Sequence, residues 1–218
     1  MKAMIAGAGR LGTELAAVLV AAGNEVTLID LDQARLAAAA EHISARMVTG
    51  DACEPYLLEE AGARAADLLV ATTWDDEDNL VISLLAKRQF TVGRVVARIN
   101  DPDNAWLFDQ GWGVDAAIPS ATPLISLIQE ATGTADTVTL LRLARAGVNL
   151  IETVIGPRSR TAGHRVGDVQ LPERCVVAAV VRDGTPTVPH PSFRLRAGDE
   201  VLIVAQATSE PDVHAAFQ

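Results

Sequence analysis

Short apolar runs alternate with amphipathic stretches through the first half of the chain. Six of the apolar runs have the length and composition of buried strands: Lys2–Ala6, Glu25–Ile29, Arg46–Val48, Asp67–Ala71, Arg94–Ile99 and Asp115–Ile118. Apolar residues spaced at i, i+3 and i+4 predict the intervening helices: Leu11–Ala22, Asp32–Glu41, Pro55–Ala61, Glu77–Gln89 and Pro102–Gln110. Strands joined by single helices require right-handed crossovers, so the pattern predicts an α/β fold with a parallel, doubly wound sheet.

The alternation ends near Pro119, and a further helix is predicted over Pro123–Ala131. We place a linker between about residues 130 and 137, which gives a first domain over residues 1–132 and a second over 137–218. The second domain is strand-rich, and its predicted elements are strands Thr137–Ala144, Asn149–Ile155, Cys175–Arg182 and Glu200–Ala205, a hairpin turn at Asp183-Gly184, and short helices over Thr161–Val169 and Glu210–Phe217. The pattern therefore predicts a second, smaller α+β domain.

Composition and charge exclude several classes of partner. The net charge is −10 and no run of Lys or Arg is present, so neither nucleic acid nor an anionic bilayer is an expected partner. No apolar stretch is long enough to cross a bilayer, and the segment Met1–Ala6 is typical of a strand rather than a signal peptide, so we expect a cytoplasmic protein. Cys53 and Cys175 lack C-x-x-C spacing, and the four histidines lack ligand spacing, so no metal site is predicted.

A glycine-rich segment, GAGRLG at residues 7–12, follows the first strand directly and opens the first helix. In this context Gly7 permits the tight turn, Gly9 lets a pyrophosphate approach the backbone, and Gly12 allows close packing of the helix. The unpaired N–H groups of the helix N-terminus then face the anion. The segment therefore predicts a Rossmann-like domain that binds an adenine nucleotide.

Asp30, at the end of the second strand, supplies the second half of this fingerprint. Its carboxylate can accept hydrogen bonds from both ribose hydroxyls of an adenosine and would repel a 2′-phosphate, which favours NAD(H) or ADP/ATP over NADP. The alternative role for Asp30 is to cap the following helix, for which Asp32 is also placed.

Other polar residues end the strands that border the expected cleft. Asp51, in the VTGDA segment, lies beside the expected adenine position, and its alternative role is to cap the third helix. Thr72 and Thr73 end the fourth strand and are candidate ligand residues. Arg10 and Arg98 are candidate phosphate contacts because a guanidinium binds phosphate bidentately, although Arg10 could instead be a solvated surface residue.

These residues resemble the RCK family, the TrkA-like nucleotide-binding regulatory subunits of Trk and Ktr potassium transport systems. The loop with Arg10 and Leu11 looks like the family's G-x-G-R-x-G motif, and VTGDA with Ala52 looks like its V-x-G-D-A/G element. The stretch ATTWDDEDN at residues 71–79 looks like A-x-T-x-x-D-x-x-N. Segments at 94–102 and 195–202 extend the likeness over nearly the whole chain.

The resemblance implies a cytoplasmic sensor of NAD(H) or ADP/ATP that gates a membrane-embedded potassium channel subunit at the inner face of the cell membrane. It also implies a homo-oligomer, in which dimers assemble into a ring such as an octamer. In some members the C-terminal module binds a second effector, including cyclic di-AMP, and no residue here decides that point. Ser120 follows Pro119 where some Ktr-type members carry a Glu that helps bind a divalent cation with ATP.

An NAD-dependent oxidoreductase is the alternative function, because the glycine loop and Asp30 also suit hydride transfer. Such an enzyme needs a general acid or base near the nicotinamide, commonly His, Lys or Tyr. Tyr56 lies in the first domain and the histidines are scattered, so the sequence favours a regulator over an enzyme.

Overall fold

The computed structural model describes residues 1–143, 146–206 and 210–218, which form two compact units, Met1–Ser120 and Ala121–Gln218. The strands of the first unit are Lys2–Ala6 (β1), Glu25–Asp30 (β2), Arg46–Thr49 (β3), Leu68–Ala71 (β4), Arg94–Ile99 (β5) and Ala116–Pro119 (β6). They pair in parallel in the order β3-β2-β1-β4-β5-β6. This is the doubly wound order that the alternating pattern predicted, so the Rossmann-like fold is confirmed.

Four helices cover the two faces of this sheet: Arg10–Ala21 (α1), Gln33–Ala40 (α2), Pro55–Ala61 (α3) and Asp76–Arg88 (α4). Successive residues of a strand point to opposite faces, and β1 divides its side chains in this way. Ala3 and Ile5 pack with buried residues of α1 and α2, whereas Met4 and Ala6 pack with those of α3 and α4. The continuous apolar run of β1 therefore serves two cores and fixes this strand in the middle of the sheet.

The second unit is built around an antiparallel sheet, which confirms the smaller α+β domain. Its strands are Thr137–Leu143 (β7), Val148–Val154 (β8), Cys175–Arg182 (β9), Thr185–Thr187 (β10) and Glu200–Ala205 (β11), paired in the order β10-β9-β11-β8-β7. Its helices are Thr122–Thr132 (α5) and Glu210–Phe217 (α6). Ala144, the predicted end of the first of these strands, lies outside the described residues. Asp183 and Gly184 have φ values of 51° and 72°, as the predicted hairpin turn requires.

The two compact units divide after Ser120, so α5 groups with the second unit, whereas the sequence assigned this helix to the end of the first domain. Helix α5 packs against β7, the strand that follows it in the chain. Short-range packing of a helix on the next strand is not visible in the periodicity of either element alone. None of the helices in the described ranges has the length and hydropathy needed to cross a membrane.

Two predicted helices are wrong in extent. The segment predicted as the helix Pro102–Gln110 is a 3₁₀ helix that ends at Leu107, because Asp109 accepts hydrogen bonds from the N–H groups of Gly111 and Trp112 and starts a turn instead. The segment Thr161–Val169 contains only a 3₁₀ turn, since the N–H groups of Gly163, Val166 and Gly167 donate to carbonyl oxygens of residues 191–195 of the same unit. Local hydrogen bonds replace the helical ladder in the first segment, and hydrogen bonds to residues distant in sequence replace it in the second.

Candidate functional site

The glycine loop joins β1 to α1 at the carboxyl end of the parallel sheet, and its shape depends on two of its three glycines. Gly7 has a φ of 106°, and a Cβ there would lie 2.9 Å from the carbonyl carbon of Thr72. A Cβ at Gly12 would lie 1.9 Å from the carbonyl oxygen of Gly7. At Gly9, the N-cap of α1, the nearest atom would be 3.6 Å away, so a side chain there has room in the empty protein.

A cavity of about 300 Å³ opens beside this loop. Strands β2 and β4 flank β1, so the direction of strand order reverses here, and ligands of doubly wound sheets bind at such a point. The residues that line the cavity come from the ends of β1 to β4 and the segments that follow them: Gly7, Gly9, Ile29, Asp30, Leu31, Asp32, Arg35, Gly50, Asp51, Ala52, Cys53, Thr72, Thr73, Trp74, Asp75, Asp78 and Ile82. Seven of the predicted site residues therefore share one cavity: Gly7, Gly9, Asp30, Asp51, Ala52, Thr72 and Thr73.

Asp30 connects the wall of the cavity to the glycine loop. Its Oδ2 accepts a hydrogen bond from the Ala8 N–H at 2.6 Å, and its Oδ1 accepts one from the Asp32 N–H at 2.8 Å. Each carboxylate oxygen keeps a further lone pair that a ribose hydroxyl can use. Helix α2 is capped by Asp32, whose side chain accepts from the N–H groups of Ala34 and Arg35, so Asp30 is not the cap.

Asp51 shapes the turn after β3 rather than capping α3, whose N-cap is Glu54. The Oδ1 of Asp51 accepts a hydrogen bond from the Cys53 N–H at 2.8 Å. Burial, with the negative charges of Asp78 and Asp51, raises the pKa of the Cys53 thiol to about 12. The thiol is therefore protonated at neutral pH and is a poor nucleophile.

Thr72 and Thr73 line the cavity, but their hydroxyl groups are engaged within the protein. The Thr72 hydroxyl donates to the carbonyl oxygens of Ala6, at 3.0 Å, and Gly7, at 3.2 Å, which ties β4 to the glycine loop. The Thr73 backbone N–H donates to Oδ1 of Asn79 at 2.9 Å, and the amide of Asn79 in turn donates to the Arg98 carbonyl at 3.1 Å. In this structure both threonines fix the cavity wall.

Asp76, in the first turn of α4, holds the segment after β5 against the cavity wall. It is 4% exposed, and it accepts from the backbone N–H of Asn100 (2.7 Å) and of Asp101 (3.0 Å), and from the side-chain amides of Asn100 and Asn104 (both 3.0 Å). Burial by itself raises the pKa of Asp76, but the hydrogen bonds from Asn104, Asn100 and Asp101 outweigh it and the pKa is lowered. The carboxylate is therefore charged and fully hydrogen-bonded at neutral pH.

Four predicted site residues are not among the described residues that line the cavity. The Arg10 side chain is 91% exposed and pairs with Glu14, with Nε 2.9 Å from Oε1, as expected for charges spaced i, i+4 on a helix surface. Leu11 is 46% exposed on the same turn of α1. The Arg98 guanidinium lies over the Trp74 ring, with Cζ 4.6 Å from the ring centroid. Gly12 does not line the cavity, and its role is to let α1 pack closely against the glycine loop.

Sequence reasoning missed several residues that line the cavity, among them Leu31, Arg35, Cys53 and Trp74. Leu31, Cys53 and Trp74 each directly follow a predicted ligand residue near a strand end. Arg35 lies in the first turn of α2, the helix that follows Asp30. The acids at 75–78 resembled ordinary helix caps in the sequence, and two of them, Asp75 and Asp78, also face the cavity. The carboxyl ends of the strands converge at the cavity. A position just after a strand end was therefore the sequence signal that could have identified these residues.

Fold and cavity together define a protein with a Rossmann-type fold, a fold that binds nucleotides in many proteins. Comparison with known proteins gives its family. The family model for the TrkA-N domain matches residues 3–120, and the model for the TrkA-C domain matches residues 150–218. The Trk system potassium uptake protein TrkA of Mycobacterium tuberculosis is 40% identical over 213 residues, which cover 98% of this chain and 96% of that protein. The chain therefore belongs to the TrkA family of potassium uptake proteins, and the predicted RCK resemblance is confirmed.

Solved structures support the same fold. The GsuK channel bound to NAD matches with a TM-score of 0.60 and 15% identity, over 99% of this chain and 39% of that one, a likeness of fold alone. GsuK bound to ADP matches with a TM-score of 0.50 and 27% identity, over 61% of this chain and 33% of that one. This chain thus spans well under half of the GsuK chain.

Proposed function

We propose that this chain is the nucleotide-sensing regulatory subunit of a Trk-type potassium transport system and that it binds NAD(H) or ADP/ATP. The observation that carries the proposal is the cavity that joins the glycine loop to Asp30. The phosphates would lie at the N-terminus of α1, where backbone N–H groups are unpaired, and the ribose would lie at the Asp30 carboxylate. The adenine would then lie beside Asp51 and Ala52, which line the same cavity.

The partner in this proposal is a membrane-embedded potassium channel subunit, which the chain would gate from the cytoplasmic face of the membrane. Support comes from the 40% identical relative, which is named as a potassium uptake protein, and from GsuK, whose structures combine a channel with NAD or ADP. We propose a homo-oligomer built from dimers. Helix α5 supports this, since it exposes a row of large apolar side chains, Leu124, Ile125, Leu127 and Ile128, that a monomer would leave in water.

The nucleotide in this proposal is an effector and not a substrate. Among the described residues that line the cavity there is no His, Lys or Tyr to serve as a general acid, and the Cys53 thiol is protonated. Incubation of the protein with NADH and a panel of oxo-acids is expected to give no oxidation of NADH. Steady turnover of any of these substrates would favour the oxidoreductase instead.

Replacing Asp30 with alanine is expected to weaken the binding of ADP and NADH by about 1.5–3 kcal/mol, because the charged acceptor for the ribose hydroxyls is lost. Titration calorimetry on the folded variant measures this change. Asp67→Ala is a matched control, since the Asp67 Oδ2 accepts the Lys2 N–H at 2.7 Å at the opposite end of the sheet. Wild-type affinity in Asp30→Ala, or equal losses in the two variants, would contradict the ribose assignment.

A second test addresses the partner. The chain, tagged and expressed with the potassium transport subunit of the same cell, is expected to co-purify with that subunit from detergent extracts. Recovery of the chain in the membrane-free fraction alone, with no transport subunit attached under any nucleotide condition, would contradict the regulatory role while leaving nucleotide binding intact.

A further inference from the structure

Trp74 is a large aromatic residue at a position that the A-x-T-x-x-D-x-x-N motif leaves unspecified. It lines the cavity and is nevertheless 63% exposed. Its indole Nε1 lies 3.6 Å from the point that a Cβ would occupy at Gly9, the loop residue whose backbone a pyrophosphate approaches. In the described ranges, no residue accepts a hydrogen bond from the indole N–H group of Trp74. An indole donor therefore lies beside the glycine loop, where the proposed function places the phosphates.

Arg98 fixes the ring in this position. Its Cζ lies 4.6 Å from the Trp74 ring centroid, well within the range of a cation–π contact. In the part of the chain that the structure describes, the Nε of Arg98 is buried without a hydrogen-bond partner, and no carboxylate pairs with the guanidinium. The stack on Trp74 thus accounts for the orientation of the Arg98 guanidinium and keeps its positive charge against this ring.

We propose that Trp74 is a ligand residue of the nucleotide site, with its indole N–H donating to a phosphate oxygen of ADP or NAD(H) above the glycine loop, and that Arg98 is the positioning residue that holds the ring. The inference rests on the proposed function, since it names a contact of the same site. Tryptophan suits the role because its apolar body covers the ligand while its polar edge donates one hydrogen bond. The contact is to phosphate, so adenosine does not make it.

The test compares ADP, NADH and adenosine by titration calorimetry in wild type, Trp74→Phe and Trp74→Leu. Phenylalanine keeps a ring for Arg98 and removes the N–H, so affinity for ADP and NADH is expected to fall about tenfold, as for loss of a hydrogen bond to a charged group. Leucine removes the ring as well, so the loss is expected to be larger. Adenosine affinity is expected to stay within about twofold of wild type in both variants. Trp106→Phe, which changes a tryptophan that is 76% exposed and does not line the cavity, is the control.

Fluorescence gives a readout that a merely structural role would not change. ADP is expected to alter the tryptophan emission of wild type and of Trp106→Phe, and to leave the emission of Trp74→Phe nearly unaltered. Unchanged ADP affinity in both Trp74 variants overturns the inference and leaves the proposed function standing. An equal loss for ADP and adenosine overturns the phosphate contact, and loss of the membrane partner with normal ADP affinity assigns Trp74 to docking instead. Absence of any ADP or NADH binding in wild type overturns the proposed function and this inference together.

Discussion

Replacing Asp199 with alanine is expected to lower the free energy of unfolding of the second unit by about 2–3 kcal/mol, less than the cost of breaking a fully buried ion pair from one side because the Arg182 side chain is 27% exposed. Asp199 is 1% exposed, and both of its oxygens pair with Arg182, each at 2.7 Å from a guanidinium nitrogen. Its Oδ2 also accepts the Arg196 N–H at 2.8 Å. The variant leaves the Nε of Arg182 and the Arg196 N–H without this acceptor at the start of β11, whereas the other Arg182 nitrogen keeps its hydrogen bond to the Arg194 carbonyl. Thermal unfolding followed by calorimetry, with hydrogen exchange of the β9 and β11 amides, measures the change.

The control is Asp168→Ala, an exposed acid of the same unit, which is expected to change stability by no more than about 0.5 kcal/mol.

The pH dependence of stability gives a second check on the role of Asp199. Burial raises the pKa of Asp199, but the hydrogen bonds and charge of Arg182 and the Arg196 N–H outweigh it and the pKa is lowered. The stability that Asp199 contributes is therefore present above the ordinary Asp pKa and lost as the pH falls through the lowered one. The gap between wild type and Asp199→Ala should close in acid, and a gap that widens there would contradict this account.

Replacing Gly12 with alanine is expected to abolish measurable nucleotide binding and to lower the free energy of unfolding of the first unit by about 1–3 kcal/mol. The added Cβ would lie 1.9 Å from the Gly7 carbonyl oxygen and 2.9 Å from the Thr72 hydroxyl, so α1 must shift away from the loop. The shift displaces the N–H groups that face the phosphates. Calorimetric titration with ADP and denaturant unfolding measure the two effects.

Gly9→Ala separates the two effects of Gly12→Ala. A Cβ at Gly9 meets no atom closer than 3.6 Å in the empty protein, so stability is expected to stay near that of wild type. The same methyl group occupies the path of the pyrophosphate, so binding is expected to weaken strongly. Wild-type ADP affinity in a folded Gly9→Ala protein would mean that the phosphates do not approach this loop.

The sequence predicted the parallel sheet well because a glycine, a proline or an acid marks the ends of each strand. Each helix is marked by apolar residues at helical spacing. Strands β1 and β5 match the predicted bounds, and the others of this sheet differ by one residue at one or both ends. The differences lie where contacts within a unit decide the structure, as for α5, which packs on β7 and groups with the second unit, whereas the sequence assigned it to the first domain. The turn at Asp109 that ends the helical segment early is another such case.

The candidate site, too, was predictable where it depends on strand ends and unpredictable where it depends on side-chain contacts. Residues at the carboxyl ends of strands were predicted to meet, and Asp30, Asp51, Thr72 and Thr73 do line one cavity, because parallel strands bring those ends to one edge. The directions of long side chains could not be predicted. Arg10 pairs with a neighbour on its own helix, and Arg98 stacks on an aromatic ring, choices that depend on rotamers and on partners distant in sequence.

In the proposed regulatory role the nucleotide acts as a switch, which requires two arrangements of the assembled protein that bind the nucleotide with different affinity. The most direct measurement is potassium flux through the reconstituted transport partner with this chain, compared at saturating ATP, ADP, NAD and NADH and in the absence of nucleotide. We expect at least two of these nucleotides to give different fluxes, since a ligand shifts such an equilibrium only by its differential affinity for the two states. Equal flux in all five conditions, with binding of each nucleotide verified in the same preparation, would contradict the account.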